Sequence, residues 1–158
     1  MAILPLELSE VGLHAEGRAL LDSVSLRIEA GPKTIILGAN GAGKSLLLRV
    51  CHGLISPRRG RAQWLGPDAA EHRKRQAMVF QDPVMLRRSV HANVAYGLAI
   101  HRVPKPERER RIADVLARTG LADFAGRAAP TLSGGEQQRL ALARVWALQP
   151  EVLFLDEP

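Results

Sequence analysis

Gly38-Ala39-Asn40-Gly41-Ala42-Gly43-Lys44-Ser45 has the spacing of a loop that wraps a phosphate: glycine, four residues, then Gly-Lys-Ser. Glycines let the backbone curl with its N–H groups turned inward, and a helix starting at Lys44 adds the positive end of its dipole. Lys44 supplies a mobile cation for the β and γ phosphates, and Ser45 offers a hydroxyl to Mg²⁺.

A second anion-seeking pattern lies at Leu132-Ser133-Gly134-Gly135-Glu136-Gln137. Ser133 and Glu136 have capping-box spacing for a helix running to about Leu148. Two glycines in that first turn weaken the helix by about 1 kcal/mol each relative to alanine. Bare amides at a positive helix end suit the close approach of a phosphate, so the pair has a use that a plain cap lacks. One chain thus carries two phosphate-binding helix ends, although a triphosphate offers a single terminal phosphate. Finally, Val152-Leu153-Phe154-Leu155 is a short apolar strand ending in Asp156 and Glu157. Strand alternation points these carboxylates different ways, so that one can hold Mg²⁺ while the other polarises a water for in-line attack.

The elements that must position these groups are legible in outline. Val24, Leu26 and Ile28 alternate with Ser23, Ser25 and Arg27 as in a half-buried strand, and a turn at Ala30-Gly31-Pro32 leads to a buried strand, Thr34-Ile35-Ile36-Leu37. Leu46, Leu47, Leu48, Val50 and Cys51 predict a helix inside the core, stopped near Gly53. Gly60 to Leu65 reads as an edge strand, and Ala77 to Phe80 as a buried strand delivering Gln81 at its end. Ser89 caps a helix through Ala99, and Pro104 opens another, on which Ile112, Val115 and Leu116 share a face. Helices between strand-rich stretches indicate a helical subdomain inserted into an α/β core.

A chain of 158 residues at 46% hydrophobic and 24% charged can bury a sizeable core, which excludes disorder. No apolar run reaches the roughly 18 residues of a membrane span, and the N-terminus lacks secretory-signal features. The lone Cys51 forms no internal disulfide and reads as packing. Five histidines show no metal-ligand spacing. The net charge is +6, concentrated in residues 58 to 111 with 13 basic and 5 acidic side chains. These are not interleaved with aromatics, so nucleic acid is not the expected partner.

The phosphate loop, strand-terminal Gln81, Leu-Ser-Gly-Gly-Glu-Gln and the strand ending Asp-Glu-Pro, in that order, resemble the ATP-binding cassette (ABC) ATPases over the whole chain. The resemblance implies an α/β P-loop core with an N-terminal antiparallel β part and an inserted α-helical subdomain. It implies ATP as substrate, Gly38, Asn40, Gly41, Gly43, Lys44 and Ser45 as Walker A, and Ser133, Gly134, Gly135 and Gln137 as nucleotide contacts from the signature of the opposite subunit. Mg²⁺ falls to Ser45, Gln81 and Asp156, and catalysis to Glu157 as general base with Gln81 and Lys44. The family resolves the surplus phosphate site: two copies pair head to tail, each ATP lying between Lys44 of one and Ser133 of the other. The implied partners are that second copy, a transmembrane permease moved through Gln81 and, indirectly, a solute-binding protein, with this subunit peripheral on the cytoplasmic face of the inner membrane.

The expected layout is a nucleotide-binding core over 1–81, a helical subdomain over 82–133, and the signature helix with the Walker B strand over 134–158. The family's D-loop and switch histidine are expected downstream, which would leave the sheet incomplete between the Walker A and Walker B strands and 1–158 a fragment of low stability and activity. Met1, directly before the first strand, makes a separate permease the expectation. His14 stands near the usual adenine-stacking aromatic, and Leu46 where threonine is common. Residues 51–55 and 80–90 are similar to importers of tungstate, molybdate or phosphate. Only 88 positions separate Ser45 from Ser133, too few for the coiled coils of repair and chromosome ATPases. A non-transport ATPase acting on the ribosome is the alternative, and a small-molecule kinase would leave the signature without a purpose.

Overall fold

The two-residue alternation around Val24 to Ile28 resolves into a strand, β2 (Arg18–Ile28), in a computed structural model that describes residues 3–15 and 17–157. Met1, Ala2, Glu16 and Pro158 lie outside the described residues. With β1 (Leu6–Ala15) and β3 (Arg59–Trp64), β2 forms an antiparallel sheet in the order β2-β1-β3. The central β1 buries Leu6, Leu8, Val11 and Leu13, and β3 is the edge strand its sequence suggested. Gly60 stands where β1 bulges, at φ +73, and a side chain there would overlap the carbonyl oxygens of Ser9 and Glu10.

α1 (Lys44–His52) follows the phosphate loop and ends at Gly53, whose left-handed φ of 84 turns the chain so that the Leu54 N–H reaches the Arg49 carbonyl at 2.9 Å. It is buried on one face only, through Leu47, Val50 and Cys51, whereas Leu46 and Leu48 are half-exposed. The expectation of a helix wholly inside the core is corrected accordingly.

Thr34 to Leu37 depart from the buried strand that their sequence predicts. This run is neither a strand nor buried: Ile35 is 78% and Leu37 88% exposed. Burial of a β run requires strands on its flanks to take its backbone groups. Among the described residues the named strands make two separate sheets, β2-β1-β3 and a pair, and neither includes residues 34–37.

The chain divides into two compact units, Met1–Ala77 and Met78–Pro158. A four-residue helix, α2 (His72–Arg75), precedes β4 (Gln76–Val79), which pairs with β5 (Val152–Leu155). Between them in sequence run α3 (Val90–Ile100), α4 (Lys105–Arg118) and α5 (Gly134–Ala147). Val90, Val94 and Leu98 of α3 pack with Ile112, Val115 and Leu116 of α4 and with Leu140, Ala143 and Ala147 of α5. Burying each of the larger side chains contributes about 2 kcal/mol. The Ser89 hydroxyl caps α3 by accepting the Ala92 N–H at 3.1 Å.

Candidate functional site

In the first unit, the loop from Gly38 to Gly43 is shaped by two glycines in left-handed conformations, Gly41 at φ +80 and Gly43 at φ +90. Gly43 cannot be larger, because a Cβ would stand 2.9 Å from both the Leu20 carbonyl oxygen and the Leu21 side chain. α1 starts at Lys44 with no side-chain cap and no acid in its first turn, so no carboxylate of that turn offsets the positive end of its dipole. The Lys44 ammonium donates to the carbonyls of Gly38 and Ala39 at 3.1 and 3.2 Å, closing the loop on itself. Asn40 and Gly41 form its exposed tip.

The Cys51 thiol, buried in α1, is pushed up to about 12 by desolvation, so it stays protonated at neutral pH. That agrees with reading it as packing.

In the second unit, α5 begins with the capping box its sequence encodes. Glu136 Oε2 accepts the Ser133 N–H at 2.7 Å and the Ser133 hydroxyl at 2.8 Å, while Ser133 Oγ accepts the Glu136 N–H at 3.4 Å. The Ser133 bonds hold the Glu136 carboxyl below its ordinary range. The box leaves out the two amides between its members: among the described residues neither the Gly134 nor the Gly135 N–H has an acceptor. A Cβ at either glycine would meet nothing within 4 Å, so no packing inside the unit calls for glycine here. The Gln137 side-chain amide donates to the Leu132 carbonyl at 3.0 Å and braces the entry to the helix.

β4 and β5 bring the remaining candidates together. The Asp156 N–H donates to the Val79 carbonyl at 3.0 Å, and Asp156 is 3% exposed, while Glu157 is exposed. Adjacent carboxylates therefore differ in burial, as strand alternation predicts. Gln81 Nε2 donates to Glu157 Oε2 at 2.9 Å, which pairs the residues after the ends of the two strands. Glu157 holds a left-handed φ of 48, a conformation costing a non-glycine residue about 1–2 kcal/mol.

The ABC transporter family model matches residues 21–158. The chain belongs to the ABC transporter family. This ABC chain is 39% identical over 142 residues to the tungstate uptake system ATP-binding protein TupC of Peptoclostridium acidaminophilum, covering 90% of the chain and 66% of TupC. It is 42% identical over 158 residues to the spermidine/putrescine import ATP-binding protein PotA of Marinobacter nauticus, covering 97% of the chain and 42% of PotA. Among solved structures it resembles cbiO1 from Clostridium perfringens, part of the ABC transporter complex cbiONQ, with a TM-score of 0.80 and 32% identity over 97% of the chain and 65% of cbiO1. The ABC chain thus spans between about two fifths and two thirds of the length of these relatives. Its fold is the α/β ABC ATPase core with an antiparallel β part and a helical insertion, as its motifs imply.

Sequence reasoning missed two residues that shape the segment after Gln81. Asn93, 1% exposed in the first turn of α3, accepts the Leu86 N–H at 3.0 Å and donates to the carbonyls of Leu86, Arg88 and Ser89. Arg144 of α5 donates to the Val84 carbonyl at 2.7 Å. A lone Asn in an apolar helix was the available signal for the first; the second carried none.

Proposed function

We propose that this chain is the ATP-binding and ATP-hydrolysing part of an ABC importer. Two copies close head to tail on nucleotide, and the motion is coupled to solute passage through a separate transmembrane permease on whose cytoplasmic side the subunit sits. A solute-binding protein acts on the permease and so on this chain only indirectly. The observation that carries the reading is the pair of amides without acceptors at Gly134 and Gly135, on a glycine face open to a second molecule. Added to the phosphate loop at Gly38–Ser45, it gives one chain two seats for phosphate, and a two-fold pairing uses both.

The donor set fits a magnesium nucleotide. Ser45, Gln81 and Asp156 offer a hydroxyl, an amide carbonyl and a buried carboxylate, the hard oxygen donors Mg²⁺ takes. These three would hold the ion, which supplies neutralisation of phosphate charge when bound. Lys44 answers the β and γ phosphates, and Gly38, Asn40, Gly41 and Gly43 shape the loop beneath them. Glu157 takes the proton of the attacking water, oriented by the Gln81 amide. Ser133, Gly134 and Gly135, steadied by Gln137, bind the γ phosphate held by the partner copy. Segment 82–133 passes the motion to the permease. Among the described residues no helix is long and apolar enough to cross a membrane. Relatives of near-equal identity are named for tungstate and for spermidine/putrescine, so the choice of solute is assigned to the permease and its binding protein.

The test is Ser133→Arg in the full-length protein. It should leave nucleotide binding at the phosphate loop intact and abolish nucleotide-driven pairing and turnover. Parental turnover in this variant would overturn the reading.

A further inference from the structure

Arg144 is a partly buried cation that the chemistry above does not use. It lies eleven residues after Ser133, three turns and about 16 Å along α5 at nearly the same azimuth. Its Nη1 meets the Val84 carbonyl at 2.7 Å, a short charge-assisted bond, and among the described residues no carboxylate pairs with it. Desolvation lowers its pKa. Partial burial of a guanidinium against a peptide carbonyl is a poor way to gain stability alone. The place of the bond is what matters.

Val84 is three residues beyond Gln81, whose amide is on Glu157. A few residues further, Asn93 holds Leu86, Arg88 and Ser89. The segment 81–89 is therefore pinned to the end of β5 through Glu157, to α3 through Asn93 and to α5 through Arg144. α5 is the helix that begins at the signature.

We propose that Arg144 is a positioning residue: by gripping the Val84 carbonyl it makes the Gln81 segment and α5 move as one body, so that a displacement of Ser133 on nucleotide is delivered to Gln81. The proposal rests on the roles assigned to Gln81 and Ser133 above. Without the grip, Gln81 samples orientations that do not meet the attacking water, while the phosphate loop keeps its own nucleotide contacts.

The experiment compares the full-length parent with Arg144→Met and Arg144→Lys in ATP turnover, ATP affinity and amide hydrogen exchange over residues 82–86. The Met variant should lose about tenfold or more in kcat, an effect of roughly 1.4 kcal/mol or more, with KM and ATP affinity unchanged and with faster exchange. The Lys variant, which keeps a cationic donor, should restore both. Parental kcat in the Met variant, or a rise in KM with kcat intact, would overturn the proposal. Should the Met variant lose its melting transition, the Lys variant decides: it must keep kcat and slow exchange, and a loss of kcat with exchange still slow would overturn the tether. If the parent hydrolyses no ATP, the ATPase reading fails, and the exchange data still decide whether Arg144 holds the segment.

Discussion

Gln81 and Glu157 stand 76 positions apart in sequence and 2.9 Å apart in space, the glutamine amide donating to the carboxylate at the ends of β4 and β5. The contact joins a residue proposed to hold magnesium to the one proposed to abstract a proton. It also constrains Glu157, which holds a left-handed backbone conformation while its neighbour Asp156 is buried. Removing the Glu157 carboxylate should therefore affect chemistry far more than folding.

Glu157→Gln in the full-length protein should keep ATP affinity and lower turnover by about 10²–10⁴, the usual contribution of a positioned general base. Single-turnover hydrolysis measures it. A parental rate would remove Glu157 from that role.

Gly135→Ala separates stability from function. A Cβ there meets nothing within 4 Å, and alanine is the better helix former by about 1 kcal/mol. The melting temperature should rise while nucleotide-dependent pairing weakens. At Gly60 the same substitution strikes two β1 carbonyl oxygens and should destabilise the protein by several kcal/mol on the scale of severe backbone strain. Thermal denaturation of both variants checks the contrast.

Acid sensitivity should have an identifiable contribution from Glu107. Hydrogen bonds from Arg110 and Arg111, at 2.7–2.8 Å, hold its carboxyl at about 2, below its ordinary 4.5. Because the folded-state value is depressed, its contribution is complete above pH 4.5 and is lost as pH falls toward 2. Glu107→Gln should flatten that limb of the stability profile and leave stability unchanged in shape above it, as followed by circular dichroism against pH.

Cys51 should resist alkylation in the folded protein at neutral pH, because burial pushes its thiol to about 12 and leaves little thiolate. Mass spectrometry should find it unmodified in buffer and fully labelled in denaturant. Labelling in both would contradict the packing seen around it.

What could be read in the sequence follows from the range of the interactions concerned. The phosphate loop, the Ser133–Glu136 box, the Ser89 cap and the Gly53 stop are local, each built within a few residues, and the structure contains all four. Thr34 to Leu37 misled because an apolar β-prone run states what it would pair with and bury against, not whether those strands are present. Leu46 and Leu48 misled similarly, since helix periodicity could not say how many sides are covered. Arg144 and Val84, sixty positions apart, meet through a backbone carbonyl that no side-chain pattern encodes.

The most direct measurement of the central claim is the mass in solution of the full-length Glu157→Gln protein, by light scattering, with and without magnesium and ATP. Head-to-tail pairing on nucleotide requires single copies without nucleotide, two copies with it, and single copies again when Ser133→Arg is added. Single copies at saturating ATP, with nucleotide bound, would contradict it.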